Sequence, residues 1–338
     1  MNARRSILWM GLFAAGIVPV LLAADSSKTP NQLTRVFRSV GMDKHLDRTI
    51  RISKTTENLL SIRDEGSYFF HYLVLTPKVA ADAKIIRTGP IEFPLSCDRL
   101  VVITHGWIDK GVHDWPEDTA RQIARRTDPN EWICAFFDWE EGSTVINPED
   151  AAKYARDIAG PRLAKAILSV AGRLKHIHLI GHSAGSWAVN SAAQILSDKI
   201  SAEIHLTFLD AFVPVFWDES ELGKLAGPGW SDHYYIRDIT FEVTQTDLTW
   251  AHNIDITSAD PWFKEHEFPW RWYYATIAGR FEHSWFEKNT PILKYAGGLE
   301  YGFARSLEAG QSNWDQSLRL PKANKAVKDI SEQPTSKP

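Results

Sequence analysis

Residues Gly181-His182-Ser183-Ala184-Gly185 constrain this chain more than any other stretch. They join an apolar run suited to a strand, Ile177-His178-Leu179-Ile180, to a helix-compatible run from Ser186 to Leu196. A G-x-S-x-G between a strand and a helix makes a corner so tight that backbones crowd, which is why Gly181 and Gly185 carry no side chain. Such a corner lifts the Ser183 hydroxyl to the open end of a sheet. It also sets the Ala184 N–H at a helix N-terminus, where negative charge developing on a substrate oxygen is stabilised. The five residues alone are a weak signal, and the flanking strand and helix make it specific.

The surrounding pattern indicates what kind of sheet this is. Arg99 to Thr104 (RLVVIT), Trp132 to Phe137 (WICAFF) and Glu203 to Leu209 (EIHLTFL) are apolar, β-branched or aromatic runs of the length of a strand buried on both faces. Ile239 to Thr244 (ITFEVT) and Tyr68 to Leu75 (YFFHYLVL) also read as strands. Asp118 to Arg126 suits a helix, and Ala151 to Leu174 a longer one broken or kinked at Gly160-Pro161. Ile85-Ile86 and Ile91 to Leu95 are short extended pieces, and residues 25 to 64 carry only weak periodicity. Strand and helix alternate from 99 to 250, which predicts an α/β chain with a doubly wound, mostly parallel sheet.

Composition narrows the function classes. The 338 residues are 44% hydrophobic and 24% charged, as in soluble globular proteins. A net charge of −4 and no long basic run argue against a nucleic-acid partner. Two cysteines, Cys97 and Cys134, are no disulfide framework, and a bridge or two buried thiols both remain open. The acids Asp218, Glu219, Glu221 and Asp232 follow no calcium-loop pattern, so neither a metal nor a cofactor is expected. No stable protein partner is expected. Arg4 and Arg5, the apolar run Ile7 to Leu22 and the Ala23-Ala24 pair read as an export signal over 1–24 that is cleaved, with a membrane anchor as the competing reading. Either way the body of the protein lies outside the cytoplasm, secreted or periplasmic. Residues 25–318 read as one catalytic domain, and 319–338, rich in Lys, Pro and Ser, as a disordered tail.

A serine hydroxyl is a poor nucleophile until a histidine takes its proton, and that histidine needs an acid behind it. In α/β-hydrolases the chain order is serine, acid, histidine. Asp210 directly follows the strand ending at Leu209, at the carboxyl edge where ligands bind, and Asp247 is the runner-up. Asp255 and Asp260 are less well placed. The histidines after Ser183 that come late enough are His252, His266 and His283. His283 leaves room for two more elements after Asp210, His266 sits in a Pro- and Trp-rich segment resembling an insertion, and His252 comes too early. Order and spacing therefore select His283. Thr104-His105-Gly106-Trp107 ends an earlier strand, so the N–H of Trp107 is expected to pair with that of Ala184 as an oxyanion hole.

With these motifs in place the chain resembles the pancreatic lipase family of secreted α/β-hydrolases, from about residue 95 to 295. The carriers are Val102 to Gly111 (VITHGWIDKG), Cys134 to Trp139 (CAFFDW), His178 to Gly185 (HLIGHSAG) and Leu209-Asp210. The resemblance implies an α/β-hydrolase fold, favours Asp210 over Asp247, and matches His283 to the catalytic histidine. Thr246-Asp247 and His252-Asn253-Ile254-Asp255 match segments that are not catalytic in the family. The family's Pro after the acid is Ala211 here, no cysteines flank the lid position, and no second β-sandwich domain fits after about 305, so the likeness covers the catalytic domain only. Pro261 to Phe281 holds the lid position and carries Trp262, Phe263, Phe268, Trp270, Trp272, Tyr273 and Tyr274. It reads either as a lid that meets a lipid–water interface or as a rigid cap packed on the core. The expected activity is a serine carboxylester hydrolase acting on an ester or lipid. The alternatives are acyl hydrolysis or transfer on a non-lipid amide or ester, and a lipid-binding relative without catalysis.

Overall fold

The computed structural model describes residues 49–66, 77–107, 114–170, 172–237, 244–245, 247–257, 266–278, 280–281 and 293–294. The export segment, the 319–338 tail, the strand expected over 68–75 and, apart from Thr244, the strand expected over 239–244 fall outside the described residues.

Nine strands form one sheet. The chain enters it with β1 (Thr49–Lys54) and β2 (Leu59–Asp64), then passes a short helix, α1 (Pro77–Ala81), to β3 (Lys84–Thr88). The strands β4 (Arg99–Thr104), β5 (Trp132–Asp138), β6 (His176–His182), β7 (Glu203–Leu209), β8 (Gly229–Tyr235) and β9 (His252–Asp255) follow. Their order across the sheet is β3-β1-β2-β5-β4-β6-β7-β8-β9. Every pairing from β2 to β9 is parallel, and only β1 and β3, at one edge, run the other way. This is the doubly wound, mostly parallel sheet of an α/β-hydrolase fold.

Helices cover both faces, which is why the central strands are apolar along their whole length. On one face Leu100, Val102, Ile133, Ala135, Phe137, Leu179, Leu206 and Phe208 share a core with the helical run from Pro148 to Val170 and with α6 (Gly185–Lys199). On the other, Val101, Ile103, Cys134, Phe136, Ile180 and Tyr234 meet α2 (Trp115–Ala124) and α7 (Phe268–Ala278). A two-residue step along each strand thus keeps one core, and a one-residue step changes it. Between β5 and that helical run lies the single turn α3 (Glu140–Ser143).

The helix expected to be broken or kinked at Gly160-Pro161 stays helical but is irregular just before that pair. It runs as α4 (Pro148–Tyr154), one wide turn over Ala155–Ala159, and α5 (Gly160–Val170). The Gly160 N–H reaches back five residues to Ala155 O, and this wider turn accommodates the proline that follows. Gly160 is needed for packing: a Cβ there would lie 2.6 Å from both Ala188 O and Ser191 Cβ on α6.

Strands β1, β2 and β8 escaped the sequence patterns. β1 and β2 fall in a stretch of weak periodicity, and β8 (GWSDHYY) is polar yet mostly buried. Its polar residues are matched to polar neighbours: His205 on β7 bonds Asp232 on β8 at 3.0 Å. The His178 ring on β6 stacks on His205 with centroids 3.8 Å apart, and Trp230 stacks on the far side at 4.6 Å.

The described part of the lid position, α7, is a cap packed on the core. Phe268, Trp270, Trp272 and Tyr273 are buried. Trp270 stacks on Trp115 at 5.0 Å, and Trp272 lies against Tyr234 at 5.0 Å. Removing a fully buried Trp costs about 3–5 kcal/mol, so these rings contribute to holding this arrangement together. Trp262 and Phe263 lie outside the described residues. Cys97 and Cys134 are both free and buried, and burial pushes the Cys134 thiol up to about 12, which keeps it protonated.

The histidine row makes stability depend on pH. Burial, opposed by Glu203, pushes His176 down to about 4, and burial holds His178 well below its ordinary value. Both folded-state values lie below the unfolded one, so the unfolded chain takes up protons first on acidification. The stability these rings contribute is whole above about pH 6.5 and falls as pH drops toward about 4. The urea midpoint is therefore expected to fall between about pH 7 and about pH 4.5, and to fall less in His176→Phe. An equal fall in both proteins would assign the acid sensitivity elsewhere.

Candidate active site

The parallel strands deliver their carboxyl ends to one edge, where β4, β6 and β7 each release a turn. β6 passes through Ser183 into α6. Ser183 takes φ 52°, a left-handed conformation that a residue with a side chain holds only where its surroundings enforce it. The enforcement is visible around it. A Cβ on Gly181 would lie 2.7 Å from Gly185 O, one on Gly185 would lie 2.1 Å from His105 O, and one on Gly106 would lie 2.7 Å from Ser183 Cβ. The Ser183 N–H donates to Leu209 O at 3.0 Å, tying the corner to the end of β7.

The turn after β4 is held as firmly. The His105 ring stacks on Trp139 at 5.3 Å. Its Nε2 accepts the Trp139 N–H at 3.1 Å, so Nδ1 carries the proton and donates to Gly106 O at 3.0 Å. Pinning the Gly106 carbonyl fixes the plane of the Gly106–Trp107 peptide, and with it the direction of the Trp107 N–H. The Trp107 indole donates to Val145 O at 2.8 Å. Ala184, φ −58°, stands immediately before the first turn of α6. Gly106 thus lies directly against Ser183, with Trp107 on one side of it and Ala184 leading into the helix on the other.

Asp210 occupies the matching position on β7. It too is left-handed, φ 49°, and it is fully buried. Its N–H donates to Tyr234 O at 2.8 Å, and its Oδ1 accepts the Ile236 N–H at 3.0 Å. The next peptide is held by His233, whose Nε2 accepts the Ala211 N–H at 3.2 Å while Nδ1 bonds Asn253 Oδ1 at 3.1 Å. Burial pushes His233 below the usual histidine range, and the neutral ring keeps Nε2 available as an acceptor.

The second oxygen of Asp210 selects the histidine. His266 Nδ1 stands 2.5 Å from Asp210 Oδ2, so Nε2 is the ring nitrogen that a base at this position would use. His283, favoured by order and spacing, lies outside the described residues. His266, which the sequence set aside as part of an insertion, is the histidine on the acid. Its ring lies 4.8 Å from that of His182, the residue preceding Ser183. Asp247 accepts from Tyr235 OH at 2.8 Å, and Asp255 pairs with Arg237 at 2.8 Å. Among the described residues no cluster of His, Cys, Asp and Glu could hold a metal ion.

The Lipase family model matches residues 83–232. The pancreatic triacylglycerol lipase of Cavia porcellus is 28% identical over 153 residues, 44% of this chain and 30% of that protein. Pancreatic lipase-related protein 2 of Homo sapiens is 29% identical over 127 residues, 36% of this chain and 25% of that protein. The pancreatic triacylglycerol lipase of Sus scrofa is 31% identical over 127 residues, 36% of this chain and 26% of that protein. The matched stretch thus spans less than a third of the length of these relatives. A solved structure from work on two metagenome-derived lipolytic enzymes is 13% identical, with a TM-score of 0.28 over 44% of this chain and 75% of that one, an overlap too small to bear on the fold.

The close approach at Gly106 gives a direct test of the site. In Gly106→Ala the new methyl meets Ser183 Cβ, and one of the two chains must give way. Displacing one oxyanion donor costs about 10²–10³-fold in kcat, so a loss of that order is expected in esterase assays while the far-UV circular dichroism stays unchanged. Full activity in that variant would remove the turn from the site. Gly106, Ser183 and Asp210 all fall inside residues 83–232, the stretch of this chain that matches the Lipase family model.

Proposed function

We propose that the chain is a serine carboxylester hydrolase whose triad is Ser183, His266 and Asp210. The observation that carries this reading is the contact between His266 Nδ1 and Asp210 Oδ2, at 2.5 Å, beside a strained Ser183 corner.

The reaction follows from the positions. Ser183 Oγ attacks the ester carbonyl carbon as its proton passes to His266 Nε2. Asp210 holds the Nδ1–H and stabilises the positive ring. The carbonyl oxygen, now negative, lies between the N–H groups of Trp107 and Ala184, each worth roughly 3 kcal/mol to the transition state. Collapse expels the alkoxide, which takes the proton from His266 Nε2. A water then gives its proton to the same nitrogen, attacks the acyl group on Ser183, and frees the acid and the serine.

Apolar side chains on the loops of this edge favour an apolar ester. Phe216, 94% exposed, and Val215 follow Asp210, and Ile146, 88% exposed, adjoins the residue that anchors Trp107. The relatives' names point the same way, since two of them are triacylglycerol lipases. Export rests on Arg4, Arg5 and the apolar run from Ile7 to Leu22.

Three variants test the assignment on short- and long-acyl p-nitrophenyl esters. Ser183→Ala is expected to abolish turnover, and His266→Ala to lower kcat by about 10³-fold or more, as removal of a triad member does. His283→Ala is expected to stay within about threefold of the parent. Parent-level activity in His266→Ala, with loss in His283→Ala, would transfer the base to His283. No activity of the parent on any ester would move the reading to amide substrates or to a binding role.

A further inference from the structure

We propose that His182 is a positioning residue that holds His266 in line with Ser183, an inference that rests on His266 being the base. The alternation of β6 sends His176, His178, Ile180 and His182 to one face of the sheet, the face covered by α2 and α7. His182 is buried there. It immediately precedes Ser183, so the corner that fixes the nucleophile also fixes this ring.

His182 makes two contacts with the base. Its Nε2–H donates to the main-chain carbonyl of His266 at 3.1 Å, and its ring lies against the His266 ring at 4.8 Å, tilted 35°. A third contact braces the ring from behind. Trp115 meets His182 edge-on at 5.9 Å and stacks at 5.0 Å on Trp270, four residues beyond His266. The indole therefore joins the end of β6 to the helix that His266 leads into.

This hydrogen bond answers a need that Asp210 alone leaves unmet. His266 precedes the first residue of α7, so the ladder within that helix does not fix its backbone. The Asp210 contact restrains one atom of its ring and leaves rotation about that bond. A second hold on the main chain removes that freedom and sets the line from Nε2 to Ser183 Oγ. Misplacing a reacting group by about 1 Å costs on the order of 10²-fold in rate, so one main-chain hydrogen bond is enough to matter.

Gln places its amide nitrogen where the His182 Nε2 stands. Phe keeps the ring but no donor, and Asn is polar but too short to reach. With the full chain and p-nitrophenyl butyrate, His182→Phe is expected to lose about 10²-fold in kcat with KM within about twofold. His182→Gln is expected to recover most of that loss, whereas a residue that only filled space would be replaced better by Phe than by Gln. Should His182→Phe not fold, the pair Gln and Asn decides: a fast Gln variant and a slow Asn variant support the role, and equal rates overturn it. A folded His182→Phe protein with parent kcat also overturns it, as does a Gln variant as slow as Phe. His266→Ala run alongside keeps the two levels apart, because parent activity there defeats the base assignment itself.

Discussion

Everything at the catalytic edge depends on how closely the backbone leaving β4 can approach the start of α6. The distance is so short that a single methyl on Gly185 would stand 2.1 Å from His105 O. Without that approach the Trp107 turn would lie too far from Ser183 for the oxyanion site proposed for Trp107 and Ala184. Gly106, Gly181 and Gly185 mark the three places where two chains meet without side chains between them. The crowding fixes Ser183 in a conformation that an isolated peptide would avoid, at a cost on the order of 1–3 kcal/mol. The buried strands on either side supply the packing that keeps it there.

The same device recurs one strand over. β6 ends in a left-handed Ser183 bonded to the end of β7, and β7 ends in a left-handed Asp210 bonded to the end of β8. Each strained turn thus rests on its neighbour, and the sheet transmits its order from Ser183 to Asp210. Three histidines grip the main chain around these turns: His105 at Gly106, His233 at Ala211 and His182 at His266. Each uses one ring nitrogen toward the backbone of a catalytic segment. Neutral imidazoles suit this role, since they can donate or accept in a buried site without bringing a charge into it.

Much of this was legible in the sequence where the signal is local. The Ser183 corner, the strand ending at Asp210 and the His105-Gly106-Trp107 turn each declare themselves within about ten residues. His266 did not, because its partner lies 56 positions away and its own neighbours read as an insertion. A trace of it was present: the alternation His176, His178, Ile180, His182 announces a polar line on one face of β6, and such a line needs partners from a covering element. β8 was hidden for a related reason, since its Asp232 is satisfied by His205 and so the strand needs no apolar pattern. At Gly160-Pro161 the sequence marked an irregularity, a break or a kink, and it takes the form of one wide helical turn ahead of the proline. The aromatic segment was ambiguous in sequence, as Trp at helical spacing serves a core or a lipid surface equally; here Phe268, Trp270, Trp272 and Tyr273 are buried.

The central claim is that Ser183 is made nucleophilic by His266 held on Asp210. Reaction with a fluorophosphonate, followed by intact mass and peptide mapping, tests it without knowledge of the natural substrate. One adduct per chain is expected, on Ser183, formed at a rate that collapses in His266→Ala. Labelling at another residue, or at the parent rate in His266→Ala, would contradict it.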